Sequence, residues 1–341
     1  MTEAALKHAT RPPEAQIVEM VMAQFVSRLI HLAAVLKLPD HLAAGPRTAE
    51  ELAPLTATDA PSLYRVMRTL SSLGLFTEDQ EHRFALQPLG ATLKSGTPSY
   101  ATALIFGGDI VARSVENILY SVQTGKTAFQ KSFDMPLFDY LAGHPIEASL
   151  FNQTMVGFHG TEPPAIAAAY DFSVFSVLAD VGGSTGNLLT TILGRHPAPR
   201  GILFDLPHVV RDAPAFIAQR GLTDRVQIEA GSFFERVPAG ADAYILSHVI
   251  HDWNEEQCLT ILGHCRRAMN SGARLLLVEM VLPAGDAPHP GKMLDMCMLT
   301  LPGGEERTEA QYGALLEKAG FRLTRVVPTA SLVSIVEAFP R

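Results

Sequence analysis

Short apolar runs alternate with stretches of helical periodicity along the second half of the chain, as is typical of a doubly wound parallel sheet. The runs predicted to be strands are 177–181, 202–204, 226–230, 243–246, 274–279, 321–327 and 333–338, the last of them antiparallel. The helices predicted between them are 187–195, 209–220, 255–268 and 308–319. The sequence therefore predicts an α/β, Rossmann-like domain, in which ligands bind at the carboxyl ends of the strands.

The amino-terminal third is helical and unusually apolar. Residues 17–38 carry apolar side chains on nearly every face, which predicts a helix buried on several sides, as packing on a second copy of the chain would provide. Pro39 is expected to end that helix. Thr48 and Asp59 are predicted N-caps of two further helices, and 75–86 reads as a β-hairpin. Helix, helix and hairpin together predict a winged-helix domain.

The middle of the chain, 99–169, is predicted to be helical. Phe151, Met155, Phe158 and His159 lie at i, i+4, i+7 and i+8, so they share one helical face. This face is expected either to pack in a core or to line a pocket. The predicted organisation is therefore a winged-helix domain over 1–100, a helical linker that lines the substrate pocket over 101–169, and the Rossmann-like domain over 170–341.

Composition narrows the possible partners. The chain has 341 residues, 47% hydrophobic and 18% charged, and we predict from it neither a bilayer-spanning run nor a secretory signal, hence a cytoplasmic protein. Its net charge of −8 argues against binding nucleic acid, because phosphates require a clustered basic surface. The three cysteines match no metal or redox spacing and are predicted to be reduced packing residues.

A glycine turn at 182–186 follows the first predicted strand of the Rossmann-like domain. A dinucleotide-binding loop needs glycines in the G-x-G-x-x-G register, but from Gly182 the other two positions are Ser184 and Asn187. The turn suits a nucleoside without a pyrophosphate. Asp205 ends the next predicted strand, where such a sheet offers a carboxylate to the ribose hydroxyls. Together these features suggest S-adenosylmethionine as the cofactor.

Titratable residues cluster after the strand 243–246. His248, His251 and Asp252 follow it, Glu279 ends the next strand, and Glu306 follows a Pro-Gly-Gly turn. A histidine between two carboxylates can take a proton from a phenol, which favours His251 as a general base. The H-x-x-H-D pattern also offers metal ligands, but no third ligand is evident from spacing, so no metal is predicted. For His248 by itself, a packing or surface role is favoured.

At these residues the chain resembles the S-adenosylmethionine-dependent O-methyltransferases of the plant caffeate and isoflavone type, with hydroxyindole and bacterial natural-product relatives. The resemblance covers nearly the whole length. It implies a winged-helix dimerisation domain, a class I methyltransferase domain, an intertwined homodimer and an aromatic hydroxyl acceptor. The matching segments are LYRVMRTL at 63–70, DVGGSTG at 180–186, FDLPHV at 204–209, HDW at 251–253 and GGEERT at 303–308.

The resemblance also implies roles for individual residues. The catalytic base is His251, flanked by Glu279 and Glu306. The implied cofactor-binding residues are Asp180, Gly182, Gly183, Asp205, Leu206, Ser232, Phe233, Ser247 and Trp253. Of these, the resemblance places Gly182 at the methionine end of the cofactor and Asp205 at its ribose, and S-adenosylhomocysteine is the implied product. For the substrate, Phe151, Met155, Met296 and Met298 match the walls of the family's pocket. Phe158 and His159, on the same helical face as Phe151, and Asp252 are the other predicted substrate-binding residues. Ser232 stands where the family usually has an aspartate beside the adenine, and Ser247 where plant members have a lysine, so weaker cofactor binding is expected.

Three other functions remain as alternatives. Some relatives on this fold act as decarboxylases or hydroxylases, although the presence of His251 argues against such a role here. A ligand-responsive DNA-binding regulator would use the winged helix, but the acidic charge predicts no DNA binding. A nicotinamide-dependent oxidoreductase would need the glycine register that is missing.

Overall fold

A computed structural model describes residues 12–341. The chain divides into two compact units. One contains the described residues up to Glu116 together with Phe138–Phe158, and the other contains Asn117–Leu137 together with His159–Arg341.

The first unit is mainly helical, as predicted. Thr48 accepts a hydrogen bond from the backbone of Glu51 in a complete capping box, and Asp59 caps the following helix. Two short antiparallel strands form the predicted hairpin. Up to Glu116 its elements are α1 (Pro13–Met22), α2 (Gln24–Val35), α3 (Leu38–Leu42), α4 (Ala49–Thr56), α5 (Ala60–Ser72), β1 (Phe76–Glu78), β2 (Phe84–Leu86), α6 (Pro88–Ala91), α7 (Pro98–Phe106) and α8 (Asp109–Glu116).

The single helix predicted over 17–38 is wrong in detail. Separate helices, α1 and α2, meet at Ala23, and Lys37 adopts a left-handed conformation with φ of 50° that ends the run. Pro39 does not stop a helix but lies in the first turn of α3. A proline is tolerated there because its missing N–H has no helical partner in the first turn.

The apolar side chains of α1 are exposed. None of its residues is buried, and Ile17, Val18 and Val21 are each about 60% exposed. The segment Pro13–Val35 is also long and apolar enough to cross a bilayer by length and composition alone, contrary to the sequence prediction, with 11% of its most apolar window buried. One such helix is weak evidence for a membrane, because a helix that packs on another protein chain passes the same test.

The second unit contains a seven-stranded mixed sheet. Its strands are β3 (Val177–Val181), β4 (Arg200–Asp205), β5 (Val226–Ala230), β6 (Ala243–Ser247), β7 (Arg274–Glu279), β8 (Phe321–Pro328) and β9 (Ser334–Pro340). Their order is β5-β4-β3-β6-β7-β9-β8, in which β3 to β7 are parallel and β9 is antiparallel to both neighbours. The chain order reverses between β3 and β6, which opens a crevice at their carboxyl ends.

Helices cover both faces of this sheet because its strands are apolar on both sides. Along β6, Tyr244 and Leu246 join one core cluster, whereas Ala243 and Ile245 join the other. The α-helices after Glu116, both in this unit and in the 138–158 part of the first, are α9 (Ile118–Thr124), α10 (Ala128–Phe133), α11 (Leu137–Gly143), α12 (Pro145–His159), α13 (Glu162–Ala169), α14 (Asn187–Arg195), α15 (Ala213–Gln219), α16 (Glu255–Ala268), α17 (Gly291–Thr300) and α18 (Glu309–Lys318). The sequence did not predict α17, and α15 is shorter than predicted.

Candidate active site

The glycine turn after β3 has a conformation and a packing that side chains would disrupt. Gly182 and Gly186 have φ of 76° and 88°, in the left-handed region that favours glycine. A Cβ on Gly182 would lie 2.8 Å from Val249 Cγ2, and one on Gly183 would lie 2.5 Å from Asp180 Cγ. The turn is therefore a cradle in which backbone, not side chains, can face a ligand.

Two aspartates support this turn. Asp205 Oδ2 accepts a hydrogen bond of 2.8 Å from Ser184 N, and Oδ1 accepts one of 2.7 Å from Leu206 N. Asp180 is buried, and within residues 12–341 neither of its carboxyl oxygens has a hydrogen-bond partner. Burial, reinforced by nearby Asp205, raises the pKa of Asp180 to about 7. Asp205 is thus fixed in orientation at the sheet edge, and Asp180 lies under the turn.

Aromatic side chains lie next to the turn. Phe233 packs edge-on against Trp253 with ring centroids 6.0 Å apart, and it is the next nearest side chain to the hypothetical Cβ of Gly182. Ser232 Oγ accepts a hydrogen bond from Phe234 N, and Ser247 ends β6. The predicted cofactor residues Gly182, Phe233 and Trp253 are therefore brought together.

His251 lies in a single 3₁₀ turn, Ile250–Asp252, and is buried. Its Nδ1 is 2.6 Å from Glu306 Oε1, and its Nε2 is 3.6 Å from Asp252 Oδ1. Burial lowers the pKa of His251, and the Asp252 carboxyl opposes that effect. A neutral His251 that donates its Nδ1 proton to Glu306 keeps a lone pair on Nε2, which is the arrangement that a general base needs.

Glu279 contacts His251 differently from Glu306. Its Oε1 accepts a hydrogen bond of 2.9 Å from Ile250 N, and its Oε2 is 3.7 Å from His251 Nδ1 without a hydrogen-bond partner among the described residues. Complete burial, and then the charges of Glu306 and Asp252, raise the pKa of Glu279 well above its usual value. His251 is therefore hydrogen-bonded to one carboxyl group, whereas the other holds the backbone of the His251 turn.

Two residues that the sequence did not single out position this arrangement. Asp295 Oδ1, on α17, accepts a hydrogen bond of 2.8 Å from Glu306 N. Arg307 is buried and donates to Ile250 O at 3.3 Å and to Glu305 O at 3.0 Å. These bonds fasten the segment that carries Glu306 to the turn that carries His251. Arg307 lies within the GGEERT segment, but its burial could not be inferred from its residue type.

Gly304 is the point where this segment passes closest to the His251 turn. An ideal Cβ on Gly304 would overlap the carbonyl oxygen of His251 and the backbone of Asp252. We therefore expect Gly304→Ala to displace Glu306 from His251, lowering kcat at least 10-fold and the melting temperature by several degrees. Gly313→Ala, on α18 with open space around it, is the matched control. Unchanged kinetics in Gly304→Ala would contradict the contact.

A second buried cluster surrounds Glu162, which the sequence did not single out. Its Oε2 lies 3.1 Å from His159 Nδ1 and 2.7 Å from His248 Nε2, and the two imidazole rings are 3.7 Å apart. His248 adopts a left-handed φ of 53°, a strained conformation for a non-glycine residue. The packed role predicted for His248 agrees with its small exposure, and the structure adds that its imidazole bonds a buried carboxylate.

The same cluster has the composition and spacing of a possible metal site. The ligand atoms of His159, Glu162 and His248 lie within 4.8 Å of one another, as do those of His248, His251 and Glu279. Tertiary contacts thus supply the third ligand that sequence spacing did not reveal. The absence of a metal remains a prediction.

Six of the seven predicted substrate residues lie on two helices, and the seventh, Asp252, lies in the 3₁₀ turn of His251. Phe151, Met155, Phe158 and His159 are on α12, where Phe158 is 47% exposed and packs edge-on against Phe106. On α17, Met296 is 39% exposed whereas Met298 is 8% exposed. Two residues apart on a helix they point about 200° away from each other, so they do not form one wall.

Comparisons with known proteins identify the family. An O-methyltransferase domain family matches residues 116–322, and an O-methyltransferase dimerisation domain matches residues 18–96. Phenazine O-methyltransferase from Lysobacter antibioticus is 44% identical over 330 residues, which cover 96% of this chain and 97% of that protein. Aclacinomycin 10-hydroxylase from Streptomyces purpurascens is 34% identical over 301 residues, covering 86% of this chain and 80% of that protein.

A solved structure shows the same fold with ligands. An O-methyltransferase from neocarzinostatin biosynthesis, in complex with S-adenosylmethionine and 2-hydroxy-5-methyl naphthoic acid, matches with a TM-score of 0.81 at 33% identity. The match covers 93% of this chain and 96% of that chain. Because both domain families and a full-length relative match, the protein belongs to the O-methyltransferase family that carries an amino-terminal dimerisation domain, and it is an S-adenosylmethionine-dependent O-methyltransferase.

Proposed function

We propose that this enzyme methylates a hydroxyl group of a small aromatic acceptor in bacterial secondary metabolism, with His251 as the general base. The observation that carries the proposal is the 2.6 Å contact between His251 Nδ1 and Glu306 Oε1. It presents Nε2 as the proton acceptor, and a negative Glu306 stabilises the imidazolium that forms.

The residues at the carboxyl ends of β3 and β4 fit the cofactor. S-adenosylmethionine supplies an already activated methyl group on a sulfonium, so the protein needs chiefly to orient the acceptor, exclude water and remove a proton. The Gly182–Gly183 cradle admits close backbone approach, and the oriented Asp205 carboxylate suits the two ribose hydroxyls. Phe233, beside Gly182, offers an aromatic face for the adenine.

The acceptor class follows from the relatives. One is described as a phenazine O-methyltransferase, and another was solved with a naphthoic acid. Both ligands are flat and aromatic, as the resemblance implied. We extend this acceptor class to the present chain, together with a homodimer formed through the dimerisation domain and the exposed apolar face of α1, and a cytoplasmic location.

Calorimetric titration tests the cofactor assignment first. We expect saturable binding of S-adenosylhomocysteine and none of NAD. Transfer of a labelled methyl group to a panel of hydroxylated phenazines, naphthoates and simple phenols then tests the reaction. Binding of the cofactor product without methylation of any of these aromatic classes would contradict the proposed acceptor class.

Ser232 offers a gain-of-affinity prediction. Ser232→Asp restores a charged acceptor beside the adenine amine, and hydrogen bonds to charged groups are stronger than neutral ones by about 1 kcal/mol. We expect the calorimetric Kd for S-adenosylhomocysteine to fall about fivefold. Ser232→Ala is the control, and it should bind no more tightly than the wild type. An unchanged or weaker Kd in Ser232→Asp would place the adenine elsewhere.

A non-methylating activity is the second candidate, because one relative is described as a hydroxylase. The His251–Glu306 pair favours methyl transfer, since a hydroxylase needs no base aligned on an acceptor hydroxyl. Mass spectrometry of the product distinguishes methylation from hydroxylation. Methylation replaces H with CH₃ and so adds roughly 14 Da. A product gain of one oxygen atom would favour hydroxylation.

A further inference from the structure

The cluster of His159, Glu162 and His248 has no role in the proton transfer described above. It joins the end of α12 and the start of α13 to the residue that follows β6. All three side chains are largely withdrawn from solvent, with Glu162 and His248 at 6% and 10% side-chain exposure and His159 at 26%. Burial of titratable groups is costly unless they are paired and hydrogen-bonded, and groups buried in this way concentrate at functional sites.

Glu162 is the ionised carboxylate of this cluster at neutral pH. Burial pushes the pKa of Glu162 upward, but hydrogen bonds from His159 and His248 outweigh it and hold that pKa at about 2. Burial also lowers the pKa of His248 to about 4, so at neutral pH this imidazole donates a proton without bringing a positive charge. In residues 12–341 the ion-pair contacts of Glu162 are these two imidazoles and no lysine or arginine.

Both imidazoles bond the same carboxyl oxygen, Oε2. The other oxygen, Oε1, has no hydrogen-bond partner among the described residues, and it is not completely buried. The carboxylate is therefore held rigidly by one oxygen, while the second keeps its capacity to accept from a ligand.

The cluster lies beside the glycine cradle. Strands β3 and β6 are neighbours in the sheet, and His248 immediately follows β6. The next residue, Val249, is the side chain that a Cβ on Gly182 would meet at 2.8 Å. Glu162, bonded to His248, thus stands at the same edge of the sheet as Gly182, where the resemblance places the methionine end of the cofactor.

We infer that Glu162, held by His159 and His248, is the counter-charge that binds the α-ammonium group of the methyl-donor cofactor. The inference rests on the proposed cofactor site and deepens it by assigning the residue that recognises the amino-acid end. A buried carboxylate with imidazole donors on one oxygen and an unused second oxygen is complementary to an ammonium group, which has three donors and a positive charge.

A divalent cation is the rival occupant. The two imidazole nitrogens already bond one carboxylate oxygen, and their rings lie 3.7 Å apart, which is close for two imidazoles bound side by side to one ion. A metal would need the lone pairs of both nitrogens and would displace both hydrogen bonds. The ammonium group leaves both bonds intact, and we therefore favour it.

The test compares two ligands on two proteins by calorimetry. The ligands are S-adenosylhomocysteine and its analogue in which hydrogen replaces the α-amino group, and the proteins are the wild type and Glu162→Gln. We expect the wild type to bind the analogue about 10- to 100-fold more weakly than S-adenosylhomocysteine. Glu162→Gln should raise the Kd for S-adenosylhomocysteine by a similar factor. Because the lost interaction is the same one, Glu162→Gln should leave the affinity for the analogue within about twofold.

Two further variants keep the result interpretable. Glu162→Asp keeps the charge and should bind S-adenosylhomocysteine better than Glu162→Gln, whereas exposed Glu256→Gln should match the wild type. Melting curves of each variant show whether it folds. Equal weakening of both ligands in Glu162→Gln would assign a merely structural role and overturn the inference.

Other outcomes separate the inference from the proposed function. If the wild type binds S-adenosylhomocysteine and the analogue equally well, the cofactor site stands and the role of Glu162 fails. If it binds neither, the proposed cofactor site itself fails, and the inference with it. Stoichiometric Zn²⁺ binding that is lost in His159→Ala and that does not compete with S-adenosylhomocysteine would assign the cluster to a metal and overturn the inference.

Discussion

Replacement of His251 by alanine is expected to lower kcat by about 10²- to 10⁴-fold, the usual contribution of a positioned general base. The imidazole is buried, and Glu306 holds its Nδ1 at 2.6 Å, so the substitution removes an oriented proton acceptor. Steady-state methyl transfer measures kcat. Calorimetry with S-adenosylhomocysteine should show a Kd within about twofold of the wild type, because none of the proposed cofactor contacts is made by His251.

His82→Ala is a suitable control, because His82 lies in the first unit with 68% of its side chain exposed. It should leave kcat unchanged. Loss of cofactor affinity in step with activity in His251→Ala would show that this histidine supports the binding site and does not act as the base. Full activity in His251→Ala would contradict the proposed mechanism.

Replacement by glutamine is expected to lower kcat at Glu306 but to leave it nearly unchanged at Glu279. Glu306→Gln removes the charge that stabilises the imidazolium, and the difference between a charged and a neutral hydrogen bond, about 1–2 kcal/mol, predicts a loss of kcat of about 5- to 30-fold. Glu279 has a pKa well above its usual value and bonds a backbone N–H, which a glutamine carbonyl can also do. Glu279→Gln should therefore keep kcat within about threefold.

Each of the two variants serves as the matched control for the other, since both remove one carboxyl group from the same buried cluster. Single-turnover methyl transfer is the appropriate measurement because it reports the chemical step. Equal losses in both variants would show that Glu279 is also ionised and acts on the base. A larger loss in Glu279→Gln would reverse the assignment.

The pH dependence follows from the same difference. Burial raises the pKa of Glu306 to about 7, and its carboxylate form is lost as pH falls through that value. Protonation would remove the charge that stabilises the imidazolium, so kcat of the wild type should decline below about pH 7 and level off above it. In Glu306→Gln this dependence on Glu306 is absent, and the remaining acid limb should belong to other groups such as Asp252.

Much of the methyltransferase domain could be predicted from local sequence pattern. The strands 177–181, 226–230 and 274–279 and the helices 187–195 and 255–268 coincide with the predicted bounds, because period and capping residues act within a few positions of the chain. The glycine turn was also predictable, since left-handed backbone at Gly182 and Gly186 is a property of those residues. The family resemblance followed from the same local segments.

Two helices were predicted incorrectly or not at all, because local pattern is misleading at those positions. Lys37 ends a helical run through a left-handed conformation that its residue type does not favour, and Pro39 fits the first turn of the helix that follows. The helix α17 was missed because its apolar residues do not form a single stripe. Met296 and Met298 accordingly face in different directions.

The chain by itself determined that His251, Glu279 and Glu306 belong to one site, because strand ends and turns converge at one edge of a parallel sheet. Only the tertiary structure decided that Glu306 bonds the imidazole, that Glu279 holds the backbone of Ile250, and that Glu162 lies between His159 and His248. Periodicity records which face of an element is buried, whereas the partner of a buried polar group depends on segments 29 to 86 residues away. The approach of those segments is fixed by packing of the whole domain.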